Sequence, residues 1–320
     1  MRSNGVLNTT AKTIANEPAI LMSLARTGMN SLSKRLGEIR FNLACHQAGA
    51  WVRNIARRLT IDDRIETSVN IYGVEAGYDF KLEGNRYYAS YFGVMAGFMS
   101  ARDMKTKGTN SQYAGTGSGV APSVGVYGTY VNKDGYFVDA TIRGFAEDIK
   151  INSYSSSGDR VYYSPDRKML MASLEAGRKF DFKASDGASE WSMEPKVELM
   201  YGIANSDEYY TSNGGKIHFS STQSVVLKPA VDIGYKFLTE KGSVVKPYVH
   251  FGINKEFDGR TDIEYATARY KSDQSGTGFE IGLGLDAQIN DAVAFYSDIV
   301  YEKGEVVQST SANIGVRYTW

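Results

Sequence analysis

From Gly49 to Trp320 the chain alternates apolar and polar residues with a period of two, in segments longer than a soluble sheet requires. In Phe279-Glu280-Ile281-Gly282-Leu283-Gly284-Leu285-Asp286-Ala287 every odd position is apolar and every even one is polar or Gly. Val245, Pro247, Val249, Phe251 and Ile253 oppose Lys246, Tyr248, His250, Gly252 and Asn254 in the same way. Period two places alternate side chains on opposite faces of a strand. Twelve such segments can be counted, at about 49–59, 68–81, 86–103, 118–131, 135–150, 167–181, 190–204, 223–238, 243–256, 276–288, 292–304 and 310–320. Most exceed the usual strand of ~5–6 residues and meet the ~9–11 that a tilted strand needs to cross a bilayer.

The connections alternate too. Glu83-Gly84-Asn85, Asn132-Lys133-Asp134, Glu240-Lys241-Gly242 and Asn290-Asp291 are tight turns, whereas 104–117, 151–166, 205–222 and 257–275 are long, polar loops. Short turns on one side, long loops on the other and an even strand count are the pattern of an outer-membrane barrel. Tyr87, Tyr88, Tyr136, Phe180, Phe182, Tyr235, Phe237 and Trp320 fall near strand ends, where interfacial aromatics belong. With the apolar face outward, the lumen takes Glu75, Asp79, Asp139, Arg143, Glu175, Lys179, Lys196, Glu198, Lys228, Asp232, Lys246, Glu280, Asp286, Asp298 and Arg317. A dry soluble core would need nearly all of these paired; a wet pore would not.

Bulk numbers hide this. The chain has 36 basic and 36 acidic side chains and a mean hydropathy of -0.33. No run of eighteen apolar residues exists, so a helical membrane span is excluded. Balanced charge gives no reason to expect nucleic acid. One cysteine, Cys45, allows no internal disulfide, and His46, His218 and His250 lack metal-ligand spacing. Neither metal nor cofactor is expected.

Residues 1–47 have a different texture. Glu17-Pro18 opens a helical pattern carried by Leu21, Leu24, Leu32, Leu36 and Ile39. A helix over about 17–40 spans roughly 35 Å, comparable with the ~30 Å hydrocarbon core. The expected division is a linker and pore-spanning helix in 1–47 and a twelve-stranded barrel in 48–320. Twelve strands leave a lumen wide enough for one polar-surfaced helix. No secretory signal follows Met1, so either the chain is cytoplasmic or its leader lies upstream.

Several stretches then resemble a known family, the translocator domain of monomeric (type V) autotransporters, pertactin-like subfamily. They are Ser31-Leu32-Ser33-Lys34-Arg35-Leu36-Gly37-Glu38-Ile39-Arg40, Gly49-Ala50-Trp51-Val52-Arg53, Gly135-Tyr136-Phe137-Val138-Asp139-Ala140, Ser173-Leu174-Glu175-Ala176-Gly177-Arg178, Glu194-Pro195-Lys196-Val197-Glu198-Leu199 and Gly315-Val316-Arg317-Tyr318-Thr319-Trp320. The resemblance implies an all-β membrane protein, a twelve-stranded antiparallel transmembrane barrel with an N-terminal α-helix in the pore. It implies a Gram-negative outer-membrane location, loops outside and tight turns in the periplasm. It implies secretion or surface anchoring of the protein's own N-terminal passenger, with the lipid bilayer, barrel assembly machinery and periplasmic chaperones as partners, and a monomer. Asn313, Gly315, Tyr318 and Trp320 resemble the C-terminal assembly signal that this machinery reads. Some members release the passenger by Asn cyclisation inside the barrel. Asn30-Ser31 stands at the matching position, and Glu175 and Glu198 match the family's lumen acids. Ser follows where Asn or Ala is more familiar. Asn30 otherwise reads as a polar helix residue, and the two Glu as members of an ion-pair network with Lys179, Lys196 and Arg143. Two functions stay open at this level: a passenger translocator, or a stand-alone pore or surface-loop adhesin plugged by its N-terminal segment. A loop-borne hydrolase finds no nucleophile elbow and no paired His, and the lumen charges oppose a soluble barrel.

Overall fold

A computed structural model describes residues 9–29, 48–63, 65–108, 113–154, 159–184, 189–240, 242–266 and 268–320. The elements in chain order are α1 (Thr9–Ala15), α2 (Glu17–Gly28), β1 (Ala48–Asp62), β2 (Glu66–Gly84), β3 (Tyr88–Lys107), β4 (Tyr113–Asn132), β5 (Tyr136–Tyr154), β6 (Arg160–Tyr163), β7 (Asp166–Arg178), β8 (Phe180–Lys183) and β9 (Glu190–Ala204). They continue with β10 (Asp207–Tyr210), β11 (Lys216–Phe219), β12 (Thr222–Leu238), β13 (Val244–Glu256), β14 (Arg260–Tyr265), β15 (Ala268–Asp273), β16 (Gly276–Gln288), β17 (Val293–Gly304) and β18 (Val307–Thr319).

Twelve long strands close into a barrel in the order β1-β2-β3-β4-β5-β7-β9-β12-β13-β16-β17-β18, every pair antiparallel. The seam joins β18 to β1 from Gly49↔Thr319 to Ile61↔Val307. Closure leaves no open strand edge, the condition for β-structure in hydrocarbon. The strands agree with the twelve segments read from the sequence, but β2 to β5 run to 19 or 20 residues. The expected loop 104–117 is therefore mostly strand. Within loops 205–222 and 257–275, β10, β11, β14 and β15 form a second, four-stranded sheet.

Val74, Val94, Phe98, Val124, Ile142, Leu174, Leu199, Leu283, Ile299 and Ile314 are exposed on the outer face. So continuous an apolar surface is the face a barrel presents to lipid.

The lumen corrects the expectation of a wet, polar channel around a polar-surfaced helix. Its tight-turn half is charged, with Arg53, Glu75, Asp79, Asp139, Arg143, Lys246, Asp286 and Arg317 buried there. Its loop-side half is mainly apolar. Leu59, Ile61, Val69, Ile71, Met99, Ile149 and Ile151 pack there against Ile14, Ala15, Ile20, Leu21 and Leu24. Ile217, Phe219, Ile263, Tyr265 and Tyr270 of the second sheet join the same cluster, roofing the helices. Each buried Ile or Leu contributes roughly 1.5–3 kcal/mol, so apolar burial dominates the docking of this segment. Apart from the half-buried Arg26, α2 is buried on every side. Its polar stretch, 31–40, lies outside the described residues, as does the rest of the expected helix beyond Met29.

The helix also breaks once. Pro18 can donate no hydrogen bond to Ile14 and its ring crowds that turn, so α1 ends at Ala15 and α2 begins beyond Asn16.

Candidate functional site

The helices enter at the loop-side mouth and descend. Near the mouth Ser153 Oγ donates to Thr10 Oγ1 at 3.1 Å, and Asn16 Nδ2 donates to Thr67 Oγ1 at 3.0 Å and to the Ile65 carbonyl. Lower down Arg26 pairs with Glu256 and donates to Ser224 Oγ at 2.6 Å. Arg57 donates to Thr27 Oγ1 at 3.1 Å and to Glu302 at 2.7 Å. The Gly28 carbonyl accepts from Arg143 Nη1 at 2.6 Å. A side chain at Gly28 would meet the Phe145 ring at 2.8 Å, so the close approach needs a glycine.

Arg143 is the hub. It donates to Glu75 Oε1 at 2.5 Å and to Ser123 Oγ at 2.7 and 3.1 Å. Glu75 also pairs with Arg53, and all three side chains are fully buried. This Arg-Glu-Arg triad presents positive charge to the carbonyl end of α2, where the helix dipole is negative.

The facing wall carries the two predicted acids. Glu175 on β7 and Glu198 on β9 are direct cross-strand partners, both buried. Two like charges this close need compensation. Lys196 lies within electrostatic reach of Glu175, and Lys228 of Glu198. Lys196 bonds Asp232 at 2.5 Å, Lys228 bonds Glu280 at 2.9 Å, and His250 bridges Asp232 and Glu280 at 2.6 and 3.4 Å. Arg143 also pairs with Glu75, and Lys179 with Asp181 at 3.3 Å. One cavity of about 190 Å³ is lined by Met29, Arg26, Glu175, Glu198, Lys196 and Asn254. It places the paired carboxylates at the helix end. Asn30, Ser31, Cys45 and His46 lie outside the described residues. Among the described residues no group of three His, Cys, Asp or Glu could hold a metal ion.

The four residues of the expected assembly signal lie on or just beyond the closing strand. Asn313 points inward and donates to Asp298 at 2.8 Å. A side chain at Gly315 would run into the Tyr296 ring. Tyr318 and Trp320 point outward, their rings 5.7 Å apart, with Tyr78 at 5.7 Å from Trp320. Next to Tyr318, on the inner face, Arg317 reaches across β1 to Asp79 with two bonds of 2.6 and 2.8 Å. Tyr127 donates to Asp79 at 2.7 Å and accepts from Trp51 Nε1 at 2.8 Å.

Sequence reasoning placed Glu75, Arg143 and Arg317 on the inner face but did not pair Arg143 with Glu75 or Arg317 with Asp79. Inward charge at alternate positions is the only sequence signal, and partners follow from register across strands far apart in the chain.

The sequence pattern of the family described as Autotransporter beta-domain matches residues 50–299. Pertactin autotransporter of Bordetella bronchiseptica is 30% identical over 298 residues, covering 91% of this chain and 31% of that protein. BrkA autotransporter of Bordetella pertussis is 27% identical over 317 residues, covering 97% of this chain and 30% of that protein. The chain thus spans about a third of the length of these relatives. Among solved structures, the β domain of the Bordetella autotransporter BrkA superposes with a TM-score of 0.69 at 24% identity, covering 86% of this chain and 100% of that one. The transport unit of AIDA-I from Escherichia coli gives 0.71 at 13% identity, covering 97% and 99%. At these identities the structural likeness speaks for the fold.

Proposed function

The chain belongs to the autotransporter β-domain family, an outer-membrane β-barrel, and from that premise we propose that it translocates and anchors an N-terminal passenger, with residues 1–47 as the pore segment and 48–320 as the barrel. The observation that carries this reading is the path of the chain. α1 sits at the loop-side mouth, α2 runs down to Met29 in mid-lumen, and β1 begins at Ala48 on the tight-turn rim, beside Thr319. A segment threaded this way joins whatever precedes it to the loop side. A plug that merely occluded a pore would need no such threading. The reading places the loops outside the cell and the tight turns in the periplasm. It gives Asn313, Gly315, Tyr318 and Trp320 the role of signal to the barrel assembly machinery, with periplasmic chaperones escorting the unfolded chain.

The test is an epitope fused ahead of Thr9, behind a secretory leader. External protease removes the epitope from intact cells carrying a folded barrel. Full protection of the epitope in such cells would refute both the translocation and the orientation.

Release of the passenger fits the same lumen. Asn30 follows two residues after the Gly28 carbonyl that Arg143 holds, and Glu175 and Glu198 line the cavity that Met29 reaches. In the proposed step the Asn30 amide nitrogen attacks its own main-chain carbonyl carbon. The peptide bond to Ser31 breaks, a succinimide forms, and Ser31 leaves as a free amine that takes up the amide proton. The carboxylates orient the amide and relay that proton. Asn30→Gln abolishes release of the fused passenger, and Glu175→Gln or Glu198→Gln slows it by a factor of about 10²–10⁴. Unchanged release in Asn30→Gln sinks this step.

A further inference from the structure

Beyond translocation, we infer that the outer surface of β1 to β5, at the loop-side edge of the apolar band, binds the phosphates of an anionic glycolipid. Arg58 on β1 stands opposite Asn70 on β2, which stands opposite Arg102 on β3. Ser118 on β4 lies opposite the Arg102–Asp103 bulge and pairs with Lys150 on β5. One row across five strands therefore carries a cation on every second strand, with a small polar residue between. Strands ~4.8 Å apart set these cations roughly 9–10 Å from one another.

Arg58, Arg102 and Lys150 are all exposed. The bulge, with Asp103 at φ 52°, turns both Arg102 and Asp103 outward. Asp103 accepts from Asn70 at 3.2 Å, and Arg102 Nε donates to Ser100 Oγ at 3.3 Å, which leaves the fork of its guanidinium outward. One step farther from the bilayer Lys105 lies over the Tyr113 ring at 5.3 Å. One step nearer stand Ala56, Tyr72, Ser100 and Val120, with Tyr72 exposed. Four cations thus meet two acids, Asp103 and Asp148, at the depth of lipid headgroups.

On the opposite wall the corresponding outward residues of β9 and β12, Ile203, Asn205, Gln223 and Val225, carry no charge. Guanidinium groups grip phosphate through paired hydrogen bonds. Their spacing on every second strand suits a headgroup bearing more than one phosphate, and an aromatic ring beneath suits its acyl region. The leaflet facing the outside of such a membrane consists of phosphorylated glycolipid. That choice of leaflet rests on the orientation proposed above.

The experiment measures retention of bis-phosphorylated lipid A, dephosphorylated lipid A and phosphatidylglycerol by the purified full chain, using native mass spectrometry. Arg58→Gln, Arg102→Gln and Lys150→Gln are combined in one variant. All three side chains point away from the packed interior, and heat-modifiable mobility verifies that the variant is folded. Lys81→Gln with Lys133→Gln at the tight-turn end is the control. We expect preferential retention of bis-phosphorylated lipid A, reduced tenfold or more in the triple variant and unchanged in the control. Equal retention by the triple variant overturns the site. Equal retention of phosphatidylglycerol overturns the assignment to a multiply phosphorylated glycolipid. Because binding is measured on purified protein, its outcome is independent of the epitope test of orientation.

Discussion

Glu17 opens α2 in a place where a carboxylate is costly. Its side chain is fully buried, and neither oxygen meets a hydrogen-bond partner among the described residues. Arg167 of β7 supplies the nearest positive charge and the Tyr163 hydroxyl of β6 lies alongside. Tyr270 of β15 and Tyr265 of β14 close the roof. Arg167 is itself committed to the Asn205 and Ser220 carbonyls at 2.5 and 3.3 Å. This cluster stands above the apolar band of the barrel, because the outward residues at its level, Asp148, Asp166 and Lys168, are charged and exposed. Burial outweighs the attraction of Arg167 and pushes the Glu17 carboxyl up to about 8 from 4.5. Glu147 of β5 faces the same Arg167.

A carboxyl that binds its proton more tightly when seated stabilises the seat below about pH 4.5. That stabilisation is lost as pH rises towards 8, and little changes above it. Between pH 5 and 9 the Glu17 contribution falls by about 4 kcal/mol, at ~1.36 kcal/mol for each pH unit within the window. Hydrogen exchange of residues 9–29, corrected for intrinsic base catalysis, should show helix protection falling by that order in the wild type. In Glu17→Gln, which keeps the shape and removes the titration, most of the slope disappears. Equal slopes in the two proteins would refute the reasoning.

Two further predictions follow from the charged half of the lumen. Arg317→Gln removes the two bonds that tie the last strand to β2 across the seam and leaves Asp79 buried with only the Tyr127 bond; we expect a loss of ~3–5 kcal/mol, read as folded-barrel mobility lost at lower temperature, and a wild-type melting profile would contradict the lock. Gly93→Ala drives a methyl group into the ring of the buried Tyr127 at a cost of about 1–3 kcal/mol; adding Tyr127→Ala should make the pair less than additive, whereas strict additivity in denaturant titrations would deny the contact.

The strands were legible because a barrel wall separates lipid from lumen at every residue, so each strand writes its two faces directly into alternate positions. Glu175, Glu198 and Arg317 could be assigned to the inner face for that reason alone. The partners of Arg317 and Arg143 could not. Arg317 and Asp79 lie far apart in the chain, and Arg143 meets Glu75 across two intervening strands, which only closure and register bring about. The period also conceals what fills the lumen. Ile71 and Glu75 have the same parity on β2, yet one packs on the helix and the other binds Arg53 and Arg143.

By itself, then, the sequence determined twelve long antiparallel strands, an apolar outer face, short turns opposite long loops and a helix before the first strand. All of these depend on local periodicity and spacing. Tertiary structure alone decided that the lumen is mainly apolar towards the loops and charged towards the turns. It alone roofed the helices with a second sheet, set Arg143 on the Gly28 carbonyl and brought Glu175 against Glu198. Those features depend on which strands become neighbours and at what register, and alternation within one strand carries no information about its neighbour.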